Sequence, residues 1–185
     1  MKHTKQAPII VAIAAALILV MAGCGSENAS SSDHSAQDVA FVNGMIPHHG
    51  QAVEMARLAT TRALSTEVKD LARNIEAAQQ PEIDTMNGWL RGWGEAEVNP
   101  ATIAGHSKHG ASGMMSADEM TAMQVMSGAQ FDRAFLEGMI KHHEGAIAMA
   151  KTQQKKGKFE PAKEMAASII TSQQAELAQM KQLLL

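Results

Sequence analysis

The sequence has little of what several protein classes require. It contains one cysteine, no tyrosine, five prolines and 3% aromatic residues in 185 residues. A single cysteine excludes an internal disulfide framework and thiolate metal clusters, and few prolines and glycines exclude collagen-like and proline-rich chains. Basic residues are not in excess either, with 16 Lys and Arg compared with 19 Asp and Glu. That balance argues against a nucleic-acid partner, because phosphate binding needs a basic surface.

What the sequence does have is apolar residues, methionine and histidine. Apolar residues make up 45% of the chain, which excludes disorder for most of it, and the length fits one globular domain. The 14 methionines and eight histidines are unusually many. They are the side chains from which any unusual chemistry of this protein is expected.

The N-terminal segment is predicted to direct export. A basic start with Lys2 and Lys5 precedes an apolar run over 9–22, which is 14 residues long. A helix spanning a bilayer needs about 20 residues, so this run is typical of a signal peptide. The following Met-Ala-Gly-Cys resembles a bacterial lipobox, in which Cys24 is lipidated. An ordinary signal peptide and a membrane anchor are the alternatives.

These features predict the organisation of the first 36 residues and the location of the protein. We expect a lipoprotein signal peptide over 1–23 and a flexible tether over 24–36, which is rich in Ser, Asn and Gly. The mature protein is then expected outside the cytoplasm, in the cell envelope or periplasm. Lipid on Cys24 would anchor it to the outer face of a bacterial membrane.

The rest of the chain contains an internal duplication. Residues 41–56 read FVNGMIPHHGQAVEMA and residues 135–150 read FLEGMIKHHEGAIAMA, at an offset of 94. The same offset continues without a gap, so that Gln79, Glu82 and Met86 fall on Gln173, Glu176 and Met180. An ungapped match of this length indicates two copies of one unit.

Each copy is predicted to be a helical hairpin. Apolar residues recur at three- and four-residue steps, which indicates helices over about 37–62 and 66–91 in the first copy and two equivalent helices in the second. Hairpins over 37–92 and 130–185, joined by a linker over 93–129, form one domain over 37–185. The predicted fold class is all-α, a four-helix bundle built from two duplicated hairpins. Ser116, with Glu119 three residues later, predicts a short helix in the linker.

The repeated Gly-Met-Ile-x-His-His contains the chemistry. Neighbouring residues lie about 100° apart around a helix, so we expect one imidazole of each pair to face the core and the other to lie at the helix boundary. Each pair then either uses one nitrogen per metal ion or bridges towards another helix. A turn near residue 64 places His48 and His49 level with Gln79 and Gln80, and Met45 level with Glu82 or Ile83. The second copy repeats this arrangement around a turn near residue 158. Each half is therefore expected to bring together two imidazoles, thioether sulfur, Gln and Glu.

These ligand types favour copper. Thioethers select Cu(I), whereas imidazole accepts Cu(I), Cu(II) and Zn(II). Zinc would leave the methionines unexplained, and a di-iron bundle needs Glu-x-x-His motifs that this sequence lacks. Cu(I) is the favoured ion, with Cu(II) as the second candidate.

The two Gly-Met-Ile-x-His-His segments, the Asp and Phe before them, and the Gln-x-x-Glu of the second helices resemble the bacterial domain of unknown function 305 family. The resemblance covers about 37–185. It implies a ferritin-like four-helix bundle exported from the cytoplasm, and copper binding and tolerance in some members. The metal ligands implied by position are Met45, His48, His49, Met139, His142 and His143.

Several other side chains have two interpretations. Four methionines on the helix stripes are either further ligands or ordinary core residues: Met55, Met86, Met149 and Met180. A linker group is either a second soft-metal patch or a polar loop: His106, His109, Met114 and Met115. Four residues of the second helices either orient the imidazoles or lie at the solvent boundary: Gln79, Glu82, Gln173 and Glu176.

We therefore expect an extracytoplasmic protein that binds copper for sequestration, tolerance or transfer. A ferritin-like metal-dependent oxidoreductase and a structural or interaction bundle without metal are the alternatives. No catalytic residue is predicted, because the sequence shows no nucleophile arrangement, phosphate loop or paired-carboxylate motif, and an enzyme is not expected. The expected partners are the metal ion and, through the lipid anchor, the membrane. The sequence identifies no protein partner and leaves a homo-oligomer open.

Overall fold

The computed structural model describes residues 33–101 and 113–185, in which five helices form. They are α1 (Ala36–Arg62), α2 (Thr66–Trp93), α3 (Ala117–Val125), α4 (Gly128–Lys156) and α5 (Glu160–Leu183). No strand occurs in these two ranges, where the only β-type pairing is an isolated bridge between Ala63 and Gly128, the first residue of α4. The predicted all-α fold class, the four long helices and the short linker helix are confirmed.

Local sequence signals set the helix ends. Ser35 and Ser116 each form a capping box, in which the serine hydroxyl accepts from a backbone N–H three residues later and the acidic side chain there accepts from the serine N–H. Ser65 caps α2 through the N–H of Val68. Gly94, with φ of 77°, ends α2 in the left-handed conformation that glycine adopts without strain.

The two hairpins, α1–α2 and α4–α5, pack against each other chiefly through α1 and α4. The late part of α1 shares one apolar cluster with the early part of α4, and the early part of α1 shares a second cluster with the late part of α4. Hence α1 and α4 are antiparallel, and the duplicated hairpins are related by an approximate two-fold axis across the bundle. The histidine pairs lie between the two clusters.

Two equivalent aspartates connect the hairpins. The carboxylate of Asp38, at the start of α1, accepts from the backbone N–H groups of Lys158 and Phe159 in the α4–α5 turn. The carboxylate of Asp132, near the start of α4, accepts from Leu64 N and Ser65 N in the α1–α2 turn, both at 2.9 Å. Each hairpin thus binds the turn of the other, and this fixes the level at which the two histidine pairs meet.

None of the helices in the described ranges is long and apolar enough to cross a bilayer. The predicted signal peptide, most of the tether and the lipidation residue Cys24 lie outside the described residues. The linker histidines His106 and His109 also lie outside them.

Candidate metal centre

Four imidazoles meet in the middle of the bundle. His48, His49, His142 and His143 are all 0% exposed. The rings of His48 on α1 and His142 on α4 approach to 3.7 Å between centroids. The two copies of the repeat therefore contribute to one shared histidine layer, which we define as these four residues, rather than to two separate sets.

The structure corrects one expectation about this layer and decides between two others. One imidazole of each pair was expected at the helix boundary, but all four are 0% exposed. Ligands confined to each half and a bridge towards another helix were both open, and the contact between His48 and His142 agrees with the bridge. Both outcomes arise because α1 packs against α2 and α4, and α4 packs against α5 and α1, so a residue about 100° from one contact still packs against the other neighbouring helix.

A carboxylate from the second helix of each hairpin binds the second histidine. His49 Nε2 lies 2.6 Å from Glu82 Oε2, and His143 Nε2 lies 2.6 Å from Glu176 Oε2. The predicted register placed Gln79 and Gln80 level with the histidines and Glu82 one turn away. Glu82 is nevertheless the partner, because side chains lean towards the N-terminus of their own helix. In an antiparallel pair, His49 and Glu82 therefore lean towards each other.

These contacts determine which imidazole nitrogen is available to a ligand. An ionised carboxylate only accepts hydrogen bonds, so Nε2 of His49 and of His143 carries the proton in the neutral ring. The lone pair is then on Nδ1, and Nδ1 of both rings is buried without a hydrogen-bond partner in the described part of the chain. Each unsatisfied buried polar group costs about 1–3 kcal/mol. A metal ion at Nδ1 would remove that cost.

The glutamines beside the layer have the same property. Gln79 and its copy Gln173 are each 3% exposed. Both amide atoms of Gln79, and Oε1 of Gln173, find no hydrogen-bond partner among the residues that the structure describes. The histidine layer and the two glutamines beside it thus contain buried imidazole and amide atoms that have no hydrogen-bond partner among the described residues.

The electrostatics keep His142 neutral. Burial, followed by the neighbouring imidazoles His48, His143 and His49, lowers the pKa of His142 well below its usual range. A neutral imidazole can bind a metal ion, whereas a protonated one cannot. At neutral pH, His142 is therefore in the form that metal binding requires.

Thioethers flank the layer on both sides. Met45 and Met139, three residues before His48 and His142, are both 0% exposed and belong to the two different apolar clusters. The other stripe methionines extend the same clusters, with Met86 and the half-buried Met149 beside Met45, and with Met55 and Met180 beside Met139. A soft ion at the layer would find sulfur towards either end of the bundle.

No three His, Cys, Asp or Glu side chains within 33–101 and 113–185 already form a set that could hold a metal ion. Methionine sulfur is a further donor type that the apolar clusters on the two sides of the layer supply. Unpaired imidazole nitrogen and adjacent thioethers fit a soft, low-valent ion such as Cu(I) better than a hard ion. The donor set thus fits copper.

One buried polar contact was missed by the sequence reasoning. Gln51, 0% exposed, donates from Nε2 to Met115 O at 2.9 Å and accepts from Met115 N at 2.8 Å. Its equivalent in the second copy is Gly145, so only one half of the bundle holds the linker in this way. A signal was present, since Gln51 lies three residues after His48 on a stripe that is otherwise apolar.

Two linker residues, Pro100 and Gly113, lie beside the histidine layer. A Cβ added at Gly50, next to His49, would be 2.1 Å from the carbonyl oxygen of Pro100. One added at Gly113 would be 2.1 Å from the carbonyl oxygen of Lys141, next to His142. The linker therefore contacts α1 and α4 at the level of the layer.

Comparison with known proteins identifies the family. The family model for DUF305, a domain of unknown function, matches residues 38–184. A DUF305 protein of Streptomyces coelicolor that is named as secreted has 32% identity over 80% of this chain and 89% of its own, with a TM-score of 0.71. A DUF305 fragment from Deinococcus radiodurans has 29% identity over 81% of this chain and 96% of its own, also with a TM-score of 0.71.

Two further relatives match this chain over very different lengths. CopM, solved with Cu(I), Cu(II) and silver, is 33% identical in its Cu(I)-bound form, over 79% of this chain and 94% of CopM, with a TM-score of 0.66. Protein L153 of Acanthamoeba polyphaga mimivirus is 42% identical over 53 residues, which are 29% of this chain and 35% of L153. The match thus spans about a third of that curated relative.

Proposed function

This chain belongs to the DUF305 family, and we propose that it binds copper outside the cytoplasm and holds the ion as cargo for sequestration, tolerance or transfer. The copper-bound forms of CopM, a relative of the same fold, support the choice of metal. The naming of the Streptomyces relative as secreted supports the location. The proposed ligands are Met45, His48, His49, Met139, His142 and His143.

The observation that supports this proposal most strongly is the buried histidine layer. Four imidazoles at 0% exposure are costly to keep inside an apolar bundle unless their nitrogens are used. A core role alone would be served better by apolar residues of similar volume. Nδ1 of His49 and of His143 is buried without a hydrogen-bond partner in the described residues, so each is free to bind a metal ion.

In this proposal the protein residues have distinct roles. Glu82 and Glu176 each hold an imidazole in one tautomer and orientation, as carboxylates do for metal-binding histidines elsewhere. The imidazoles supply nitrogen, and Met45 and Met139 supply the sulfur that favours Cu(I) over harder ions. The surrounding apolar clusters exclude water, which disfavours oxidation of the bound ion to the more strongly hydrated Cu(II).

Competition titration tests the proposed function. The purified protein is equilibrated with Cu(I) and a chromophoric chelator under anaerobic conditions, and the same protein is titrated with Cu(II) and Zn(II). We expect the dissociation constant for Cu(I) to be lower than those for Cu(II) and Zn(II), each measured by competition with a chelator suited to that ion. Absence of Cu(I) binding, or preference for Zn(II), would reject the proposal, and oxidase turnover with Cu(II) would favour the oxidoreductase alternative.

The orienting carboxylates provide a prediction. Glu82→Gln with Glu176→Gln keeps the side-chain shape but removes the charges that orient His49 and His143, so Cu(I) affinity should fall about 10- to 100-fold. Glu76→Gln is the matched control, because Glu76 lies on the same helix but pairs with Arg57 at the surface. Equal Cu(I) affinity of the Glu82/Glu176 variant and the Glu76 variant would contradict the assigned role.

The location proposal rests on Cys24. If Cys24 is lipidated, the protein should be recovered with the membranes, because the acyl chains on one cysteine together anchor it firmly. Cys24→Ala should move the processed protein to the soluble extracytoplasmic fraction, as measured by fractionation and mass spectrometry. Mature protein that stays with the membrane after this change would contradict lipid anchoring.

A further inference from the structure

A surface cavity of about 190 Å³ lies on one side of the bundle, beside α4. It is lined by Met114 and Met115 of the linker, by Gly138 of the repeated motif, and by Glu119, Glu137 and Lys141. Met115 is half-buried and lines the cavity, whereas the four histidines of the layer are not exposed at all. A metal ion that reaches the histidine layer must cross the surface, and this cavity is lined by two methionines.

From this cavity, thioethers continue inwards. A Cβ added at Gly138 would be 3.1 Å from Met115 Sδ and 3.4 Å from Met55 Cε, so both side chains lie over the backbone of this glycine. Met55 is 0% exposed and shares an apolar cluster with Met139, which precedes His142 by three residues. Met115, Met55 and Met139 thus lead from the cavity to the layer.

The position of Met115 is fixed by a buried polar group. Gln51 makes both a donating and an accepting hydrogen bond to the Met115 backbone. Because both amide atoms of Gln51 are hydrogen-bonded to this one residue, they fix the Met115 backbone against α1.

The charges around the cavity permit a monovalent cation. Two carboxylates, Glu119 and Glu137, are balanced by Lys141 and by Arg133, so the cavity has no net positive charge. Hydrogen bonds from Ser116 lower the pKa of Glu119, so its carboxylate stays ionised. Glu137 also pairs with Arg133 on the same helix. The local charge does not repel Cu(I), and the sulfur atoms supply the selectivity.

We propose that this cavity is the receiving site for Cu(I), that Met115 is the first thioether on the route to the histidine layer, and that Gln51 is the residue that positions it. This inference rests on the proposed function and adds where the ion is taken up. The opposite side of the bundle has the equivalent glycine, Gly44, with a single thioether, Met149, whose Sδ would be 3.7 Å from an added Cβ. Met149 is therefore the matched control.

Stopped-flow loading with Ag(I), a redox-inert probe for Cu(I), tests this inference on the whole protein. Met115→Leu removes the sulfur at nearly constant volume and should slow loading by at least about tenfold, within the range over which association rates vary. The equilibrium affinity should stay within about threefold of wild type, because the ligands of the layer are untouched. Met149→Leu should load at the wild-type rate.

A second variant tests the positioning residue. Gln51→Leu should slow Ag(I) loading as Met115→Leu does, although no sulfur is lost, and should speed hydrogen exchange of the Met115 amide that donates to Gln51. Wild-type loading rates in Met115→Leu, or equal slowing in Met149→Leu, would overturn the route while leaving the proposed function intact. Failure of the wild-type protein to bind Ag(I) or Cu(I) would instead reject the proposed function.

Discussion

Replacing all four histidines of the layer by leucine should reduce Cu(I) affinity by at least about a thousandfold, or roughly 4 kcal/mol. The change removes every imidazole ligand that we propose and leaves only thioethers, which are weak ligands on their own. Leucine is apolar and close in volume to histidine, so the bundle should remain folded. Chelator competition measures the affinity, and circular dichroism checks helicity.

The control for this variant is His34→Leu. His34 stacks on Trp93 at 4.5 Å between ring centroids, outside the layer, so its replacement should leave Cu(I) affinity unchanged. Replacing only His48 and His49 should lower the amount of Cu(I) bound per protein by more than half, because His48 is in contact with His142 of the other copy. Wild-type Cu(I) affinity in a folded four-leucine variant would show that the histidine layer does not bind copper.

The second large effect is on stability. Asp38→Asn should lower the free energy of unfolding by about 2 kcal/mol at neutral pH, because hydrogen bonds to a charged group each contribute about 1.5–3 kcal/mol and Asn retains only part of them. The Asp38 carboxylate is 0% exposed and accepts from backbone N–H groups of both hairpins. Chemical denaturation of the two proteins measures the difference.

The pH dependence of this effect has a definite sign. Burial alone would raise the pKa of Asp38, but hydrogen bonds from Ser35, Gln153 and Lys158 lower it to about 2, compared with 3.8 for the free side chain. The carboxylate therefore stabilises the fold above pH 3.8, and this contribution is lost as the pH falls towards 2. The stability difference between wild type and Asp38→Asn should shrink over that range. A difference independent of pH would show that the charge is not the cause.

Asp132→Asn is the internal comparison. Asp132 binds two backbone N–H groups of the opposite turn and is only half-buried. Its replacement should cost about 1 kcal/mol, less than that of Asp38. The two variants together test whether the paired aspartates hold the hairpins in register.

Much of this architecture could be predicted because local signals agree with the fold. The spacing of apolar residues predicted the four long helices, and Ser116 with Glu119 predicted the linker helix, since these signals depend on residues close in sequence. The ungapped duplication predicted that the two hairpins are equivalent. The contact between His48 and His142 could not be predicted, because it depends on how two hairpins pack. His49 contacts Glu82 rather than Gln79 because, in two antiparallel helices, side chains that lean towards their own N-termini lean towards each other.

Residues outside the repeat were harder to interpret. Gln51 has no counterpart in the second copy, and its partner Met115 is 64 residues away in a linker without a repeat pattern. Asp38 and Asp132 lie at equivalent positions of the repeat, 94 residues apart. The turns that they bind in the opposite hairpin could not be predicted, because contacts over such separations leave no local pattern. Sequence reasoning therefore identified the candidate ligands before it could identify the residues that position them.

X-ray absorption of the Cu(I)-loaded protein tests the central claim most directly, because it reports which atoms bind the ion. The account predicts both nitrogen and sulfur neighbours in the wild-type protein. In Met45→Leu with Met139→Leu the sulfur signal should fall while the nitrogen signal remains. Copper without nitrogen neighbours in the wild type, or an unchanged sulfur signal in that variant, would contradict a centre built from this histidine layer and its two flanking methionines.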